Sequence, residues 1–408
     1  MLAMRTLRSI AALEQFECLG SACEDTCCKG WGMQLTAETV ERYRTHAPEL
    51  LDAITSGEAQ HIMRRDAQTD HCVKLEAGWC GIHRAYGTDF LGDACNFFPR
   101  STRSLGDDVV MSASLSCPEV VRLALWHENP VALGDAREQR VPYGLKDYLP
   151  ESLDTQQAYA VHRIFIDYML REDLTAEDAL MHSAISADAL ASIAMTDWIE
   201  ALPFYLRTAS GRVPQPEVQP SDAFNLLNML CVLIALSKPT SRPRLDHTLM
   251  DMYSALAVHF DAQQLSIMIS EQSSASYANL YDRWERYGNQ ALQPMLKRWC
   301  AMQYSVQLFP YAGHGSNARE RLNLIAVRYA ITRLGLMCLM MHYPDGTLPP
   351  QEAQIRVVQS IARFMDHLSD PTTLLSMVHH LGWMHNARLR GMLQGGLRIQ
   401  LPDALCAI

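Results

Sequence analysis

CLGSACEDTCCKGW, the sequence of residues 18–31, carries four cysteines within eleven positions. Four more cysteines follow before residue 118, and the last four are scattered over residues 118–408. Cysteine thiolates bind soft metal ions or iron–sulfur clusters, or cysteines pair as disulfides. The eight N-terminal cysteines are therefore the candidate metal ligands: Cys18, Cys23, Cys27, Cys28, Cys72, Cys80, Cys95 and Cys117.

Length and composition indicate an acidic globular protein. The 408 residues are 48% hydrophobic and 20% charged, which is enough for large cores and for two or three domains. A net charge of −10 argues against a nucleic-acid-binding surface. The N-terminus lacks the pattern of a secretory signal, and the longest apolar run, residues 223–236, is too short to span a bilayer. We therefore expect a cytoplasmic protein with no nucleic-acid or membrane partner.

The expected compartment determines how the clustered cysteines are interpreted. Cytoplasmic thiols stay reduced, so metal binding or redox activity is favoured over disulfides. Zinc sites usually show two separated Cys-x-x-Cys pairs, which this sequence lacks, and the irregular spacing favours an iron–sulfur cluster, with zinc as the alternative. The pattern Cys-x-x-x-Cys-x-x-Cys is the signature of radical S-adenosylmethionine enzymes. It begins correctly at Cys23 and Cys27, but the third cysteine is replaced by Gly30, which argues against that class. One cubane cluster uses at most four cysteine ligands, so some of the eight cysteines are not expected to bind it.

The chain is predicted to be mainly α, with a small irregular metal-centred domain at its N-terminus. Residues 1–120 are rich in glycines and potential ligands; within them, residues 1–17 are predicted as a short helix and Val109–Ser116 as a strand. Residues 121–213 and 221–408 are predicted to be all-α, joined by a proline-rich linker at 213–220.

Helical periodicity predicts the elements of the larger part and the role of its cysteines. Helices are predicted within 153–208 and at 221–237, 245–260, 262–271, 289–308, 319–342, 351–368 and 371–394. Free cysteine is among the most buried residue types. The scattered cysteines are therefore expected to be ordinary buried residues: Cys231, Cys300, Cys338 and Cys406.

Short motifs around the N-terminal cysteines carry a family resemblance. They are Cys18-x4-Cys23-x3-Cys27-Cys28-Lys29-Gly30-Trp31, Cys72-x-x-Leu75, Cys80-x-Ile82, Cys95-x-Phe97-Phe98-Pro99-Arg100 and SLSCPE at 114–119. Together with the long helical remainder, they resemble the cysteine-cluster family that chelates zinc or iron, and within it the flagellin lysine-N-methylase branch. The motif match covers residues 16–119. Beyond it, the likeness lies in the length of the chain and in its predicted helical character.

The resemblance implies methyl transfer from S-adenosylmethionine to lysine ε-amines of flagellin and a cysteine-ligated 4Fe-4S cluster. No glycine-rich Rossmann turn with an acidic ribose ligand is found in the sequence. Our hypothesis is that a cluster with an open iron holds the amino and carboxylate groups of the cofactor. A cluster with four cysteine ligands and no spectral response to the cofactor would contradict it.

Two other classes of function compete with the methyltransferase. One is a carrier or assembly factor for a metal or cluster, and the other is a zinc-stabilised interaction module without methyltransferase activity. Methyl transfer to an amine needs a neutral lysine and a group that removes its proton. Glu24, Asp25, Tyr43 and Tyr86 are near the cysteines, but such residues are more often structural, so the catalytic and cofactor-binding residues stay unassigned.

Overall fold

The protein is described by a computed structural model covering residues 6–56, 61–135, 145–217, 219, 221–237, 242–366, 368 and 371–394. Predictions for other residues, including Cys406 and parts of the 213–220 linker, lie outside this described part. The strands are β1 Thr6–Ile10, β2 Gln34–Leu35, β3 Ile54–Ser56, β4 His61–Met63, β5 Leu75–Glu76, β6 Trp79–Cys80, β7 Arg100–Leu105, β8 Asp108–Ala113, β9 Leu133–Asp135, β10 His259–Asp261 and β11 Ser266–Met268.

Helices make up most of the fold, which confirms the mainly α prediction. They are α1 Ala11–Glu14, α2 Ala37–His46, α3 Gly81–Tyr86, α4 Asp93–Phe97, α5 Pro118–Leu125, α6 Thr155–Met169, α7 Ala176–Leu190, α8 Trp198–Thr208, α9 Asp222–Leu236, α10 Pro243–Leu256, α11 Glu271–Arg283, α12 Asn289–Val306, α13 Ala318–Met340, α14 Gln351–Asp366, α15 Pro371–His380 and α16 Asn386–Gln394.

A four-stranded sheet with the order β7-β8-β1-β9 ties the N-terminus to the helical part. Strand β8 confirms the predicted strand at 109–116, although it begins and ends earlier. The predicted helix over residues 1–17 is wrong, because residues 6–10 form β1, parallel to β8 and antiparallel to β9, and only α1 is helical. The backbone partners of β1 come from far along the chain, so local periodicity could not indicate this strand.

Helix α13 is the centre of the main hydrophobic core. It contacts α7, α10, α14, α15 and α16. By length and composition it could cross a membrane, but its apolar window is entirely buried inside the protein. Gly335 faces α14, where an added Cβ would lie 2.9 Å from Val357, so a larger residue there would push the two helices apart. In this structure α13 is therefore a core helix.

Two helix predictions in the C-terminal part are wrong in detail. Residues 262–271 were predicted as a helix, but β10 and β11 form a hairpin there. The side chain of Asp261 accepts hydrogen bonds from the backbone N–H groups of Gln263 and Gln264, a local bond that favours a turn over a helix. The predicted helix at 371–394 is divided into α15 and α16 at Gly382, whose φ of +72° suits glycine.

The hydrophobic side chains of residues 1–120 belong to two separate cores. The smaller core is formed by residues between 33 and 91, including Met33, Tyr43 and Leu91. Strands β1 and β8 and helix α5 instead contribute to the large core shared with the helices. Residues on both sides of position 120 thus pack together, and the predicted division of the chain into 1–120, 121–213 and 221–408 stays a prediction.

Candidate metal and substrate site

The cysteine loop, residues 18–31, is held in a compact conformation by close glycine contacts. Gly20 has a φ of +55°, and an added Cβ would lie 2.4 Å from the Trp79 ring. Gly78, with a φ of +81°, is packed against Ser21 in the same way. Both positions combine left-handed backbone with close approach, so each requires glycine. The β5–β6 hairpin therefore lies directly against the start of the loop.

Backbone hydrogen bonds connect the end of the loop to the smaller core. The Trp31 indole Nε1–H donates to the carbonyl oxygen of Cys27 at 2.6 Å, and the Cys72 N–H donates to the carbonyl oxygen of Cys28 at 2.8 Å. An isolated bridge also pairs Lys29 with His71. These bonds bring cysteines separated by more than forty residues in sequence into one region.

Four of the candidate ligands interact as one group, which we name the four-thiol set: Cys28, Cys72, Cys80 and Cys95. Hydrogen bonding to Cys27, together with burial, raises the pKa of Cys28 to about 12, although a hydrogen bond with Cys80 opposes this. The bond with Cys28 and burial also raise the pKa of Cys80. Burial raises the pKa of Cys95, and the charges of the other three sulfurs raise it further. These mutual effects on the pKa define the set; Cys72 is buried, and Cys28, Cys80 and Cys95 are half-buried.

Three other candidate ligands form a second group, which we name the three-thiol set: Cys18, Cys23 and Cys117. Burial raises the pKa of Cys117 to about 12, with smaller contributions from Cys23 and Cys18. Burial also raises the pKa of Cys23, and Cys18 contributes. Cys117 precedes α5, and Cys18 and Cys23 belong to the cysteine loop. The eighth candidate, Cys27, adjoins Cys28.

Backbone N–H groups donate to sulfurs of both sets. The Cys80 sulfur accepts hydrogen bonds from the backbone N–H groups of Ile82 and His83 at the start of α3. These bonds lower its pKa, but the Cys28 hydrogen bond and burial raise it by more. Cys117 accepts from the N–H groups of Glu119 and Val120 at the start of α5, with the same effect. Such bonds favour the thiolate, which is the form that binds a metal or a cluster.

The donor chemistry of both sets fits a soft metal or an iron–sulfur cluster. In the described part of the chain, no three Cys, His, Asp or Glu side chains are arranged closely enough to form a complete metal site. The four-thiol set supplies four sulfur donors, as zinc or a cubane requires, and the three-thiol set supplies three. The other described cysteines, Cys231, Cys300 and Cys338, are buried in the helical core, as predicted.

Helix α14 fastens the cysteine loop to the helical part of the molecule. The Arg363 guanidinium lies 2.7 Å from the Asp25 carboxylate and donates to the carbonyl oxygens of Thr26 at 3.0 Å and Lys29 at 2.9 Å. The fully buried Gln359 amide donates to Asp25 Oδ2 at 2.8 Å and to the Ser116 carbonyl oxygen at 2.9 Å. One helix thus fixes both the loop and the segment that precedes Cys117.

We expect Arg363→Ala to lower the free energy of unfolding by about 3 kcal/mol, because it removes the counter-charge of the Asp25 carboxylate and the donor of two loop carbonyls. The Asp25 side chain is 10% exposed and that of Arg363 is 18% exposed, so solvent replaces little of the lost pairing. Urea denaturation measures the change. Arg286→Ala is the matched control, since Arg286 pairs with Asp282 on a helix surface where both side chains are more than 60% exposed. A loss equal to that of the control would contradict this role of Arg363.

Two adjoining clefts open beside the cysteine loop. The small cleft, about 390 Å³, is lined by Cys23, Asp25, Lys29 and His71 among others. The large cleft, about 770 Å³, lies among the loop, α5, α10, α13 and α14. Its lining residues are Ala22, Glu24, Arg122, Arg244, His247, Asp251, Leu339, His342, Tyr343, Glu352, Ala353 and Arg356. Glu24 and Arg244 border both clefts, which therefore meet at the loop.

A carboxylate with two histidines lies on the wall of the large cleft. Asp251 pairs with Arg356 at 2.6 Å and is only 14% exposed. Its Oδ1 lies 3.7 Å from His342 Nε2 and 3.8 Å from His247 Nε2. One carboxylate thus lies close to two imidazole nitrogens on the cleft wall, and imidazole is the side chain most often used as a general base.

The residues near the cysteines that the sequence offered as proton acceptors have mostly structural roles. Asp25 is paired with Arg363, and the hydroxyl of the buried Tyr43 donates to the Phe90 carbonyl oxygen at 2.7 Å. Tyr86 contacts Glu49. Of the four, Glu24 lines both clefts. The His342 and Asp251 group was not found from the sequence, because Asp251 lies within α10 and His342 follows α13, so the two form no local motif.

Comparison with known proteins gives similarity over about a third of the chain. The "Flagellar biosynthetic protein FliU" of Salmonella muenchen is 29% identical over 142 residues, which cover 32% of this chain and 84% of that protein. Proteins named "Lysine-N-methylase" from Salmonella typhimurium (strain LT2) and Salmonella choleraesuis (strain SC-B67) are each 30% identical over 143 residues. That match spans 32% of this chain and 35% of each methylase.

Other comparisons give no further relatives. No family model matches the chain, and no solved structure matches it. The predicted membership of the cysteine-cluster family therefore stays a prediction. The partial similarity supports a relationship to the lysine methylases and to a flagellar biosynthetic protein.

Proposed function

We propose that this protein is a protein-lysine N-methyltransferase that transfers methyl groups from S-adenosylmethionine to lysine side chains of flagellin in the cytoplasm. Partial similarity to lysine-N-methylases supports the reaction class, and similarity to a flagellar biosynthetic protein supports flagellin as the substrate. The observation that carries the proposal is the position of the large cleft. It lies against the cysteine loop on one side and against the His342 and Asp251 group on the other.

The proposed reaction is an in-line displacement at a methyl carbon. S-adenosylmethionine supplies that methyl group on a positively charged sulfonium. His342 takes a proton from the lysine ammonium, because only the neutral amine has a lone pair for the attack. Asp251, whose Oδ1 lies 3.7 Å from His342 Nε2, positions the imidazole. The amine nitrogen then forms its bond to carbon as the carbon–sulfur bond breaks, with the electron pair going to the departing thioether.

The two thiol sets are proposed to hold metal centres with different roles. The four-thiol set would hold a closed, structural centre, either zinc or a cluster, because it has four sulfur donors and none of its cysteines lines either cleft. The three-thiol set would hold a 4Fe-4S cluster at the small cleft, where Cys23 forms part of the wall. With three cysteine ligands, such a cluster would supply an iron with one position open to a ligand.

Intact-protein mass spectrometry of purified flagellin tests the proposed reaction. After incubation with the anaerobically purified protein and S-adenosylmethionine, we expect mass increases in steps of one methyl group, located on lysines by peptide sequencing. Flagellin with chemically dimethylated lysines is the control and should gain no mass. Unmodified flagellin after complete incubation would contradict the proposed function.

The second candidate is a metal-binding accessory or interaction protein without methyltransferase activity. The four-thiol set favours it, since a closed site supports structure rather than catalysis. In that case metal would be present, but flagellin would stay unmethylated, so the same experiment separates the two candidates.

A further inference from the structure

Arg244 lines both clefts and carries a buried hydrogen-bond donor that has no partner among the described residues. Its Nε donates to the Gln359 side-chain oxygen at 2.9 Å, which fixes the guanidinium in place. Gln359 is itself held by Asp25 and by the Ser116 carbonyl, so it cannot easily turn away. The Nη2 atom of Arg244 is buried and has no hydrogen-bond partner among the described residues. A buried cationic donor without an acceptor is costly, which favours a ligand that brings an anionic oxygen.

Three carboxylates surround a single guanidinium group beside the large cleft. Arg122 faces three carboxylates, with distances of 2.8 Å to Glu24, 2.5 Å to Glu119 and 3.0 Å to Glu352. Three carboxylates against one guanidinium leave two negative charges that these contacts do not neutralise. Glu24 and Glu352 also line the cleft, so a cationic ligand group can approach them.

The two charged positions are close enough to interact with each other. Burial lowers the pKa of Arg244, and the nearby carboxylates of Asp25 and Glu24 oppose this shift. Arg244 and Glu24 both border the small and the large cleft, next to Cys23. The Arg244 guanidinium and the Glu24 carboxylate thus border the same junction, where one ligand could contact both charges.

We propose that this junction binds an α-amino-acid headgroup, with its carboxylate on Arg244 and its ammonium group at Glu24 and Glu352. The arrangement matches a zwitterion, because a simple anion would be repelled by the carboxylates and a simple cation would leave Arg244 without an acceptor. The identification of this headgroup as the methionyl end of S-adenosylmethionine rests on the proposed function, and it places the amino and carboxylate groups on these side chains rather than on an open iron. Free methionine carries the same headgroup, so the experiment must distinguish the two sources.

Isothermal titration calorimetry of the full-length, anaerobically purified protein tests this proposal without any activity assay. We expect S-adenosylmethionine to bind the wild type about 10- to 100-fold more tightly than its decarboxylated analogue, the range for a charged hydrogen bond. Arg244→Gln should weaken binding of S-adenosylmethionine by a similar factor and leave binding of the decarboxylated analogue unchanged. Arg244→Lys should recover part of the loss, and Glu24→Gln should also weaken binding of the intact cofactor.

Arg163→Gln is the matched control, since Arg163 pairs with Asp167 on the surface and both are more than half exposed; its binding should equal that of the wild type. Equal affinity of the wild type for the two cofactor forms would overturn the proposal, and this comparison needs no variant to fold. If Arg244→Gln weakened the binding of S-adenosylmethionine and of its decarboxylated analogue equally, that result would also overturn the proposal. Methionine binding that depends on Arg244, without binding of S-adenosylmethionine, would support the headgroup site and contradict the proposed methyltransferase.

Discussion

Cys80→Ala is expected to remove the metal of the four-thiol set and to unfold the smaller core. Cys80 hydrogen-bonds with Cys28 and raises the pKa of Cys72 and of Cys95, so it interacts with each of the other three members of the set. Replacement of an outer-shell partner alone typically weakens metal affinity 10- to 100-fold, and we expect loss of a direct ligand to exceed about 100-fold. Because binding to a structural metal site also stabilises the fold, the smaller core should become sensitive to proteolysis.

Elemental analysis and limited proteolysis measure the two effects of this substitution. Cys300→Ala is the control, since Cys300 is a fully buried cysteine of the helical core and belongs to neither thiol set. The control should keep its full metal content and an intact smaller core, which consists of residues between 33 and 91. Unchanged metal content in Cys80→Ala would contradict the assignment of the four-thiol set.

His342→Gln is expected to lower kcat for methyl transfer about 10²- to 10⁴-fold, the usual contribution of a positioned acid–base group. The KM for flagellin should change little, because the proton transfer belongs to the chemical step and glutamine keeps a side chain of similar polarity. Asp251→Asn should also lower kcat, since the Asp251 carboxylate lies 3.7 Å from His342 Nε2 and positions the imidazole.

Steady-state kinetics of the variants with flagellin measure these effects. His379→Gln is a matched control, because His379 lies 3.9 Å from the Glu320 carboxylate in a similar pair, outside the residues that line the large cleft. Its kcat should equal that of the wild type. A loss of activity in His379→Gln as large as that in His342→Gln would contradict a specific role of His342.

Much of the helical architecture could be predicted from the sequence, because amphipathic periodicity is a local property. The longest predicted segments, 289–308 and 319–342, correspond closely to α12 and α13. Strand β1 could not be predicted, because its partners β8 and β9 lie about 100 residues away or more. The β10–β11 hairpin was missed because its turn depends on the side chain of Asp261 rather than on glycine or proline.

The candidate ligands could be found from the sequence, but their grouping could not. The cysteines of one loop belong to different sets, since Cys23 is near Cys117 and Cys28 is near Cys80. This division depends on the β5–β6 hairpin and on the packing of α5, which are tertiary features. The cleft residues were missed for the same reason, because Arg244, Asp251 and His342 meet only when α10 and α13 pack together.

The central claim is that an iron–sulfur cluster lies beside the cleft that binds S-adenosylmethionine. Anaerobic purification, followed by a visible spectrum and iron and sulfide analysis before and after addition of S-adenosylmethionine, tests this claim most directly. We predict at least about four irons and four sulfides per chain, charge-transfer absorption, and a change in that absorption when the cofactor is added. Zinc without iron or sulfide, in a colourless protein, would contradict the account.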